Sequence, residues 1–136
     1  MIEALVGLAT PETLINVIWA TFAGMVIGAL PGLTATMGLA LMTSLTYGMG
    51  GEQAILVLIC LYIGTIYGGS RSAILLNIPG TPANAATGME GFPMASSGQA
   101  SRALGLATVA SLVGSLFGAL CLYLIAPALA EIALRF

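Results

Sequence analysis

The distribution of charge constrains this chain more than any other feature of its sequence. Residues 13–51 contain no charged side chain, and neither do residues 103–130. A helix of about 20 residues crosses the ~30 Å hydrocarbon core of a bilayer, so both stretches are long enough to span it. Only 6% of the residues are charged and 59% are hydrophobic, whereas soluble domains are about 25% charged. The sequence therefore predicts an all-α polytopic membrane protein.

The types of charged residue exclude several functions. The chain contains Glu and Arg but no Asp, Lys or His. Three Arg cannot form a basic surface that neutralises nucleic-acid phosphates. The usual catalytic triads and the common metal sites need Asp or His, and Cys60 and Cys121 lie in apolar runs where Cys acts as a small hydrophobe. We expect no enzyme, no cofactor and no bound metal.

The first charge-free stretch predicts a helical hairpin. Thr10 is a plausible N-cap, with Pro11 at the first helical position. The helix should end at Leu30, because Pro31 cannot donate to the carbonyl four residues earlier. The chain stays apolar after Gly32. A second helix must therefore start at once, which gives a tight hairpin with its tip at Pro31-Gly32.

The rest of the chain predicts two more helices separated by an interrupted segment. After a turn at 48–52, a helix over 53–69 should end at Arg71. Residues 72–88 are too polar for lipid and too uncharged for an ordinary loop, which indicates a broken or re-entrant segment covered by protein. We expect a polar loop over 94–102, and then a helix over 103–125 that Pro127 ends, with an interfacial tail at 131–136.

Glycines recur four residues apart on the predicted helices. The GxxxG pairs are Gly24, Gly28 and Gly32, then Gly64 and Gly68, then Gly114 and Gly118. Such spacing puts small residues on one helix face and favours close helix packing. The same surfaces also suit the sliding elements of a transporter, and the sequence does not separate the two interpretations.

The two predicted breaks, at Pro31-Gly32 and at Asn77–Pro82, indicate a membrane transport site. A broken helix leaves free carbonyls at the end of one segment, which suit a cation. It leaves free N–H groups at the start of the next, which suit an anion. The alternatives are a plain kink at the first break and a structural loop at the second. Arg71 could clamp a carboxylate, or it could snorkel to the interface at a helix end.

Three tracts of the sequence resemble one transporter family. They are GALPGLT at 28–34, YGGSRSAILLNIPGTP at 67–82 and EGFPMA at 90–95. They resemble the large membrane subunit, TctA, of tripartite tricarboxylate transporters. The likeness runs in order through essentially the whole chain. Residues 1–136 would then form a single membrane domain similar to the first repeat unit of such a permease.

The resemblance implies a secondary, ion-coupled importer of di- or tricarboxylates in a bacterial inner membrane. Its partners would be a small membrane subunit and a periplasmic substrate-binding protein, and its coupling ion Na⁺ or H⁺. The translocation path would include Pro31, Gly32, Thr34, Ser70, Asn77, Pro79, Gly80, Thr81 and Pro82. We expect the substrate to be bound by Gly32, Thr34, Ser70, Arg71, Asn77, Gly80 and Thr81. We expect the cation to be bound by carbonyls at Leu30, Pro31 and Ile78.

The chain contains one repeat unit, whereas members of that family are several times longer and have a second, related half. A transport site that two halves share is not completed by one of them, so this chain is expected to be a fragment, a truncated product or one piece of a split subunit. The alternative function is a truncated, non-transporting membrane scaffold that is held together by its GxxxG contacts.

Overall fold

A computed structural model describes residues 10–133, which are helical apart from short connections. The helices are α1 (Pro11–Ala29), α2 (Ala35–Thr46), α3 (Gly51–Leu76), α4 (Ala85–Met94) and α5 (Ala100–Ala133). A 3₁₀ turn, Pro82–Asn84, precedes α4, and a π turn, Ala95–Gln99, follows it. No strand occurs among these residues. The prediction of an all-α fold with breaks near Pro31 and Pro79 is confirmed.

Helices α1 and α2 form the predicted hairpin. The Thr10 hydroxyl accepts a hydrogen bond from the Thr13 N–H at 3.3 Å, as expected of an N-cap. Helix α1 stops before Pro31, and α2 begins after Thr34. Helix α2 then runs back along α1, because its Met42 packs in one cluster with Ala20 of α1. Val57 and Leu61 of α3 complete that apolar cluster.

Helix α3 is longer than predicted and does not end at Arg71. It continues to Leu76, because residues 72–76 contain neither Gly nor Pro. The neighbouring serine hydroxyls do not compete with the helix: Ser72 donates to the Gly69 carbonyl at 3.0 Å within α3. The helix ends at Asn77, which adopts the left-handed conformation with φ 57°.

The interrupted segment is shorter than predicted. Only residues 77–81 are irregular, whereas the sequence indicated a break over 72–88. Thr81 has extended backbone angles, and Pro82 occupies the first position of the 3₁₀ turn. Proline favours this position because its fixed φ suits a helix start and no N–H is needed there. The 3₁₀ turn then leads directly into α4.

The predicted polar loop at 94–102 and the predicted helix end at Pro127 are both wrong. Residues 95–99 form a π turn, with a kink at Gly98, where φ is 85°. The hydroxyls of Ser96 and Ser97 bond to helix carbonyls one turn earlier, so these polar residues need no water. Helix α5 passes Pro127, since membrane helices tolerate proline. The predicted tail is helical over 131–133, and residues 134–136 lie outside the described part.

Helices α1 and α3 pack through their glycines. A Cβ atom added to any of four glycines would lie less than 3 Å from a backbone carbonyl oxygen of the other helix. The pairs are Gly24 with Leu61, Gly28 with Thr65, Gly64 with Thr21 and Gly68 with Met25. The two backbones therefore approach as closely as glycine allows, which is the GxxxG packing that the spacing predicted. Gly32, Gly114 and Gly118 take no part in such packing, because an added Cβ at each would meet no atom within 4 Å.

The chain divides into two compact units, with the boundary between Leu104 and Gly105. In the first unit, α3 contacts α1, α2 and α4. The second unit is the remainder of α5, whose apolar side chains, Leu116 and Phe117 among them, are about two-thirds exposed. Three helical segments of the described chain, Pro11–Ala29, Gly51–Leu76 and Pro82–Ala126, are long and apolar enough to span a bilayer. The prediction of a single domain over residues 1–136 stays a prediction.

Candidate functional site

The two helix interruptions meet at a junction of three glycines. Gly80, in the second interruption, packs against the carbonyl of Gly28, in the last turn of α1 before the first interruption. A Cβ atom on Gly80 would also lie 2.9 Å from the Cα atom of Gly69 on α3. Any side chain at Gly80 would therefore push the segment off both helices. The glycines bring together two breaks that lie almost 50 residues apart in sequence.

A cavity of about 230 Å³ lies between these interruptions. Its walls come from the start of α2, from α3 and from the 3₁₀ turn. The lining residues are Thr34, Ala35, Thr36, Tyr62, Ile66, Thr81, Pro82 and Ala83. Four of them carry a hydroxyl group, and none carries a charge. The cavity is thus an uncharged and mainly apolar pocket that carries hydroxyl groups and opens to the surface, where Thr36, Tyr62 and Ala83 are exposed.

Two helical segments begin at this cavity. Thr34 and Thr81 are their N-caps, and Ala35, Thr36 and Ala83 belong to their first turns. The first N–H groups of a helix have no partner within it, and the helix dipole adds partial positive charge at the same end. Both starts therefore bring donors and positive potential to one volume, but the second supplies fewer donors, because Pro82 has no N–H and the Asn84 N–H donates to the Thr81 carbonyl. This arrangement suits an anion and disfavours a cation.

The two cap hydroxyls already accept hydrogen bonds. Thr34 Oγ1 accepts from the Met37 N–H at 3.3 Å. Thr81 Oγ1 accepts from Nδ2 of Asn84 at 2.9 Å, instead of capping a backbone N–H of its own turn. A hydroxyl carries one hydrogen. With an acceptor lone pair occupied in each case, that hydrogen is available to a ligand.

Of the residues predicted to bind substrate, Thr34 and Thr81 line the cavity. Gly80 lies next to Thr81 and is buried. Gly32 forms the turn of the hairpin with φ 93° and is exposed. A Cβ atom added to it would have no neighbouring atom within 4 Å. The structure therefore brings together the two threonines that follow the breaks, and Gly80 acts through packing.

Ser70, Arg71 and Asn77 do not line the cavity. The Ser70 hydroxyl donates to the Tyr67 carbonyl at 2.7 Å, within α3. Arg71 is exposed, its guanidinium lies 4.3 Å from the ring centroid of Tyr67, and it donates to the hydroxyl of that tyrosine. Asn77 is exposed at the end of α3.

The residues predicted to bind a cation lie at the ends of α1 and α3. Leu30 and Ile78 are each about half exposed, and Pro31 is exposed. The Leu30 carbonyl accepts a hydrogen bond from the Leu33 N–H at 3.3 Å. None of the three residues lines the cavity described above.

The predicted binding residues did not include Thr36, Tyr62 and Asn84, although Thr36 and Asn84 follow the two predicted breaks closely. Thr36 follows the first break closely enough that its place in the first turn of α2 was a usable signal. Tyr62 lies four residues before Ile66, so the two share a face of α3, but the sequence does not show which face meets the breaks. Asn84 is 3% exposed, and a lone Asn after Pro82 gave no sign of burial.

Comparison with known proteins identifies the family. The model of the tripartite tricarboxylate transporter TctA family matches residues 14–136. The chain is 35% identical over 133 residues to an Agrobacterium vitis protein described as an uncharacterized 52.8 kDa protein in the TAR-I ttuC′ 3′ region. The match covers 96% of this chain and 26% of that protein, so the chain spans about a quarter of the length of its relative. No solved structure matches the chain significantly. The resemblance read from the three sequence tracts is confirmed, and this multi-pass membrane protein belongs to the tripartite tricarboxylate transporter TctA family.

Proposed function

We propose that this chain forms part of the membrane subunit of a carboxylate importer, and that the cavity between its two breaks binds a carboxylate group of the substrate. The observation that carries the proposal is the convergence of two helix starts on one volume whose lining carries four hydroxyl groups. Family membership supports the substrate class, because a tricarboxylate is an anion that needs such donors.

The cavity chemistry favours a carboxylate over a neutral ligand. Backbone N–H groups at Ala35, Thr36 and Ala83 and the hydroxyls of Thr34 and Thr81 are donors at or beside the lining. A hydrogen bond to a charged group contributes about 1.5–3 kcal/mol. Several such bonds offset the cost of removing a carboxylate from water. Tight binding slows the release of a substrate, so an uncharged site without Arg suits transport better than an ion pair does.

The charge of the substrate requires a compensating cation. A polyanion in an uncharged cavity is unfavourable unless other charges neutralise it. We propose that co-transported Na⁺ or H⁺ supplies this charge. The carbonyl ends of α1 and α3, at Leu30, Pro31 and Ile78, have the negative dipole polarity that a Na⁺ ion prefers. This coupling would make import of the substrate depend on the ion gradient.

The partners and membrane follow from the family. We propose that the protein works in the bacterial inner membrane with a small membrane subunit and a periplasmic substrate-binding protein. Since the chain spans about a quarter of its relative, the transport activity belongs to the whole assembly. Residues outside this chain would complete the binding site.

Uptake of radiolabelled citrate tests the proposal in cells that express the protein from its native locus. The variants are Thr34→Val and Thr81→Val, which remove a hydroxyl from the cavity and keep the side-chain shape. The matched control is Thr43→Val on α2, whose hydroxyl bonds to the Leu39 carbonyl away from the cavity. We expect each cavity variant to raise the KM about tenfold, the equivalent of one hydrogen bond, at equal abundance in the membrane.

The second candidate is a non-transporting scaffold. The glycine junction favours it, because tight packing of Gly80 on Gly28 explains the breaks without any ligand. If both cavity variants take up citrate with the KM of the parent protein, the scaffold is the better interpretation. If only the cavity variants lose affinity and Thr43→Val does not, the scaffold is excluded.

A further inference from the structure

Asn84 is a buried polar residue that joins the second break to α3. Its side-chain nitrogen donates to the Ile66 carbonyl at 3.0 Å and to Thr81 Oγ1 at 2.9 Å. Ile66 and Thr81 both line the cavity, and Asn84 lies behind them. The two bonds therefore tie one wall of the cavity to another from the outside.

The orientation of this amide follows from its partners. The amide oxygen and nitrogen of Asn look alike, so their assignment rests on the hydrogen-bond network. The Ile66 carbonyl can only accept, which requires the nitrogen of Asn84 to face it. The same nitrogen has a second hydrogen, which points to Thr81 Oγ1. Thr81 is thereby the acceptor in this pair.

We infer that Asn84 is a positioning residue that fixes the Thr81 hydroxyl so that its hydrogen can be donated to the carboxylate in the cavity. The Asn84 amide occupies one acceptor lone pair of Thr81, so the hydroxyl hydrogen must point away from the amide, where a ligand can accept it. Thr81 also has no helix carbonyl four residues earlier to which it could donate, because residues 77–81 are irregular. This inference rests on the proposed function of the cavity.

The packing around Asn84 supports a fixed geometry. A Cβ atom added to Gly69 would lie less than 3 Å from Nδ2 of Asn84, and 3.3 Å from the backbone nitrogen of Thr81. Glycine at 69 thus leaves the room in which Asn84 reaches Ile66. The Asn84 backbone N–H also donates to the Thr81 carbonyl at 3.0 Å. Backbone and side chain together hold Asn84 against Thr81.

The test is a double-mutant cycle on citrate uptake, with Asn84→Leu, Thr81→Ala and the double variant expressed from the native locus. We expect each single variant to raise the KM about tenfold, as the loss of one hydrogen bond predicts. In the Thr81→Ala background, Asn84→Leu should change the KM less than twofold, because no hydroxyl remains to be oriented. The matched control is Asn16→Leu, which removes another buried Asn, bonded to the indole of Trp19.

A purely structural role for Asn84 gives a different result. Its loss would then lower the abundance and maximal rate without changing the KM, or would raise the KM equally in both backgrounds, and either result overturns the inference. Asn84→Asp keeps the size of the side chain and gives the same reading where Asn84→Leu does not fold, since an ionised carboxylate cannot donate to Thr81. We expect it to raise the KM at least as much.

The failure of this inference is distinguishable from that of the proposed function. If Thr81→Ala leaves the KM unchanged, the cavity is not the substrate site and both proposals fail. If Thr81→Ala raises the KM and neither Asn84 variant does, the site stands and only the role of Asn84 is overturned.

Discussion

The Cα atom of Gly80 faces the carbonyl oxygen of Gly28 so closely that a Cβ on Gly80 would lie less than 3 Å from that oxygen. This contact joins the segment after α3 to the end of α1. Gly28 lies just before the first break, and Gly80 lies within the second; the cavity lies between these breaks. The geometry of the cavity therefore depends on a backbone contact that no side chain at position 80 can reproduce.

Gly80→Ala should destabilise the protein. The methyl group must displace backbone atoms of α1 or α3, and overpacking of this kind costs about 1–3 kcal/mol. The measurement is the thermal unfolding midpoint of the purified protein in detergent. The control is Gly48→Ala, where an added Cβ meets no atom within 4 Å. Equal midpoints for the two variants would contradict the contact.

A methyl group that clashes with the backbone of α1 should cost more stability than one that clashes with a side chain of α1. Gly64→Ala places its methyl group against the Thr21 carbonyl, which moves only with α1. Gly38→Ala places it 3.1 Å from Cγ2 of Ile27, a contact that a side-chain shift of a few tenths of an ångström relieves. We expect Gly64→Ala to lower the unfolding midpoint by several degrees more than Gly38→Ala. A larger loss for Gly38→Ala would show that α2, and not α3, packs tightly against α1.

Much of the fold could be predicted because proline and charge act locally. Pro31 is followed at once by Gly32, which takes a positive φ, so the pair ends α1 where a lone proline would not. The apolar residues after it leave no room for an aqueous loop. The extents of the helices could not be predicted in the same way. The predicted ends at Arg71, at the polar run around Ser96 and at Pro127 were wrong. In a membrane helix a serine hydroxyl bonds to its own helix, and a proline removes only one backbone bond.

The candidate site was only partly predictable for a related reason. Thr34 and Thr81 come directly after the breaks, and the start of a helix is where free N–H groups lie. Tyr62 and Asn84 reach the site through the packing of α3, which depends on glycine contacts between distant segments. Arg71 was predicted to bind substrate because of its charge. Its guanidinium instead lies over the ring of Tyr67, on the same helix.

Gly32→Ala should destabilise the hairpin although there is space for the methyl group. An added Cβ at Gly32 meets no atom within 4 Å, but φ is 93°, a region that L-residues rarely adopt. We expect a cost of about 1–2 kcal/mol from backbone strain alone. Thermal unfolding checks this against the same Gly48→Ala control, which has equal space and no positive φ. Indistinguishable midpoints would rule out strain at the tip.

Asn77 should tolerate glycine and reject a β-branched residue. It ends α3 in the left-handed conformation with φ 57°, which Asn and Gly accept more readily than other residues. Asn77→Gly should leave the unfolding midpoint nearly unchanged, and Asn77→Val should lower stability by about 1–2 kcal/mol. The measurement is the difference in thermal unfolding midpoint between the two variants. A destabilised Asn77→Gly would instead assign the role to the side-chain amide.

Cysteine accessibility tests whether the cavity is the place where substrate binds. Cys60 and Cys121 are first replaced by Ala, and Ala83→Cys is then introduced at the cavity wall. A negatively charged thiol reagent should modify the new thiol, because the helix starts attract anions, and citrate should slow the reaction by occupying the same volume.

The matched control is Ala86→Cys, one turn further along, which is exposed and does not line the cavity. Citrate should leave its rate unchanged. Protection of both thiols would indicate a conformational change, and protection of neither would move the substrate site elsewhere.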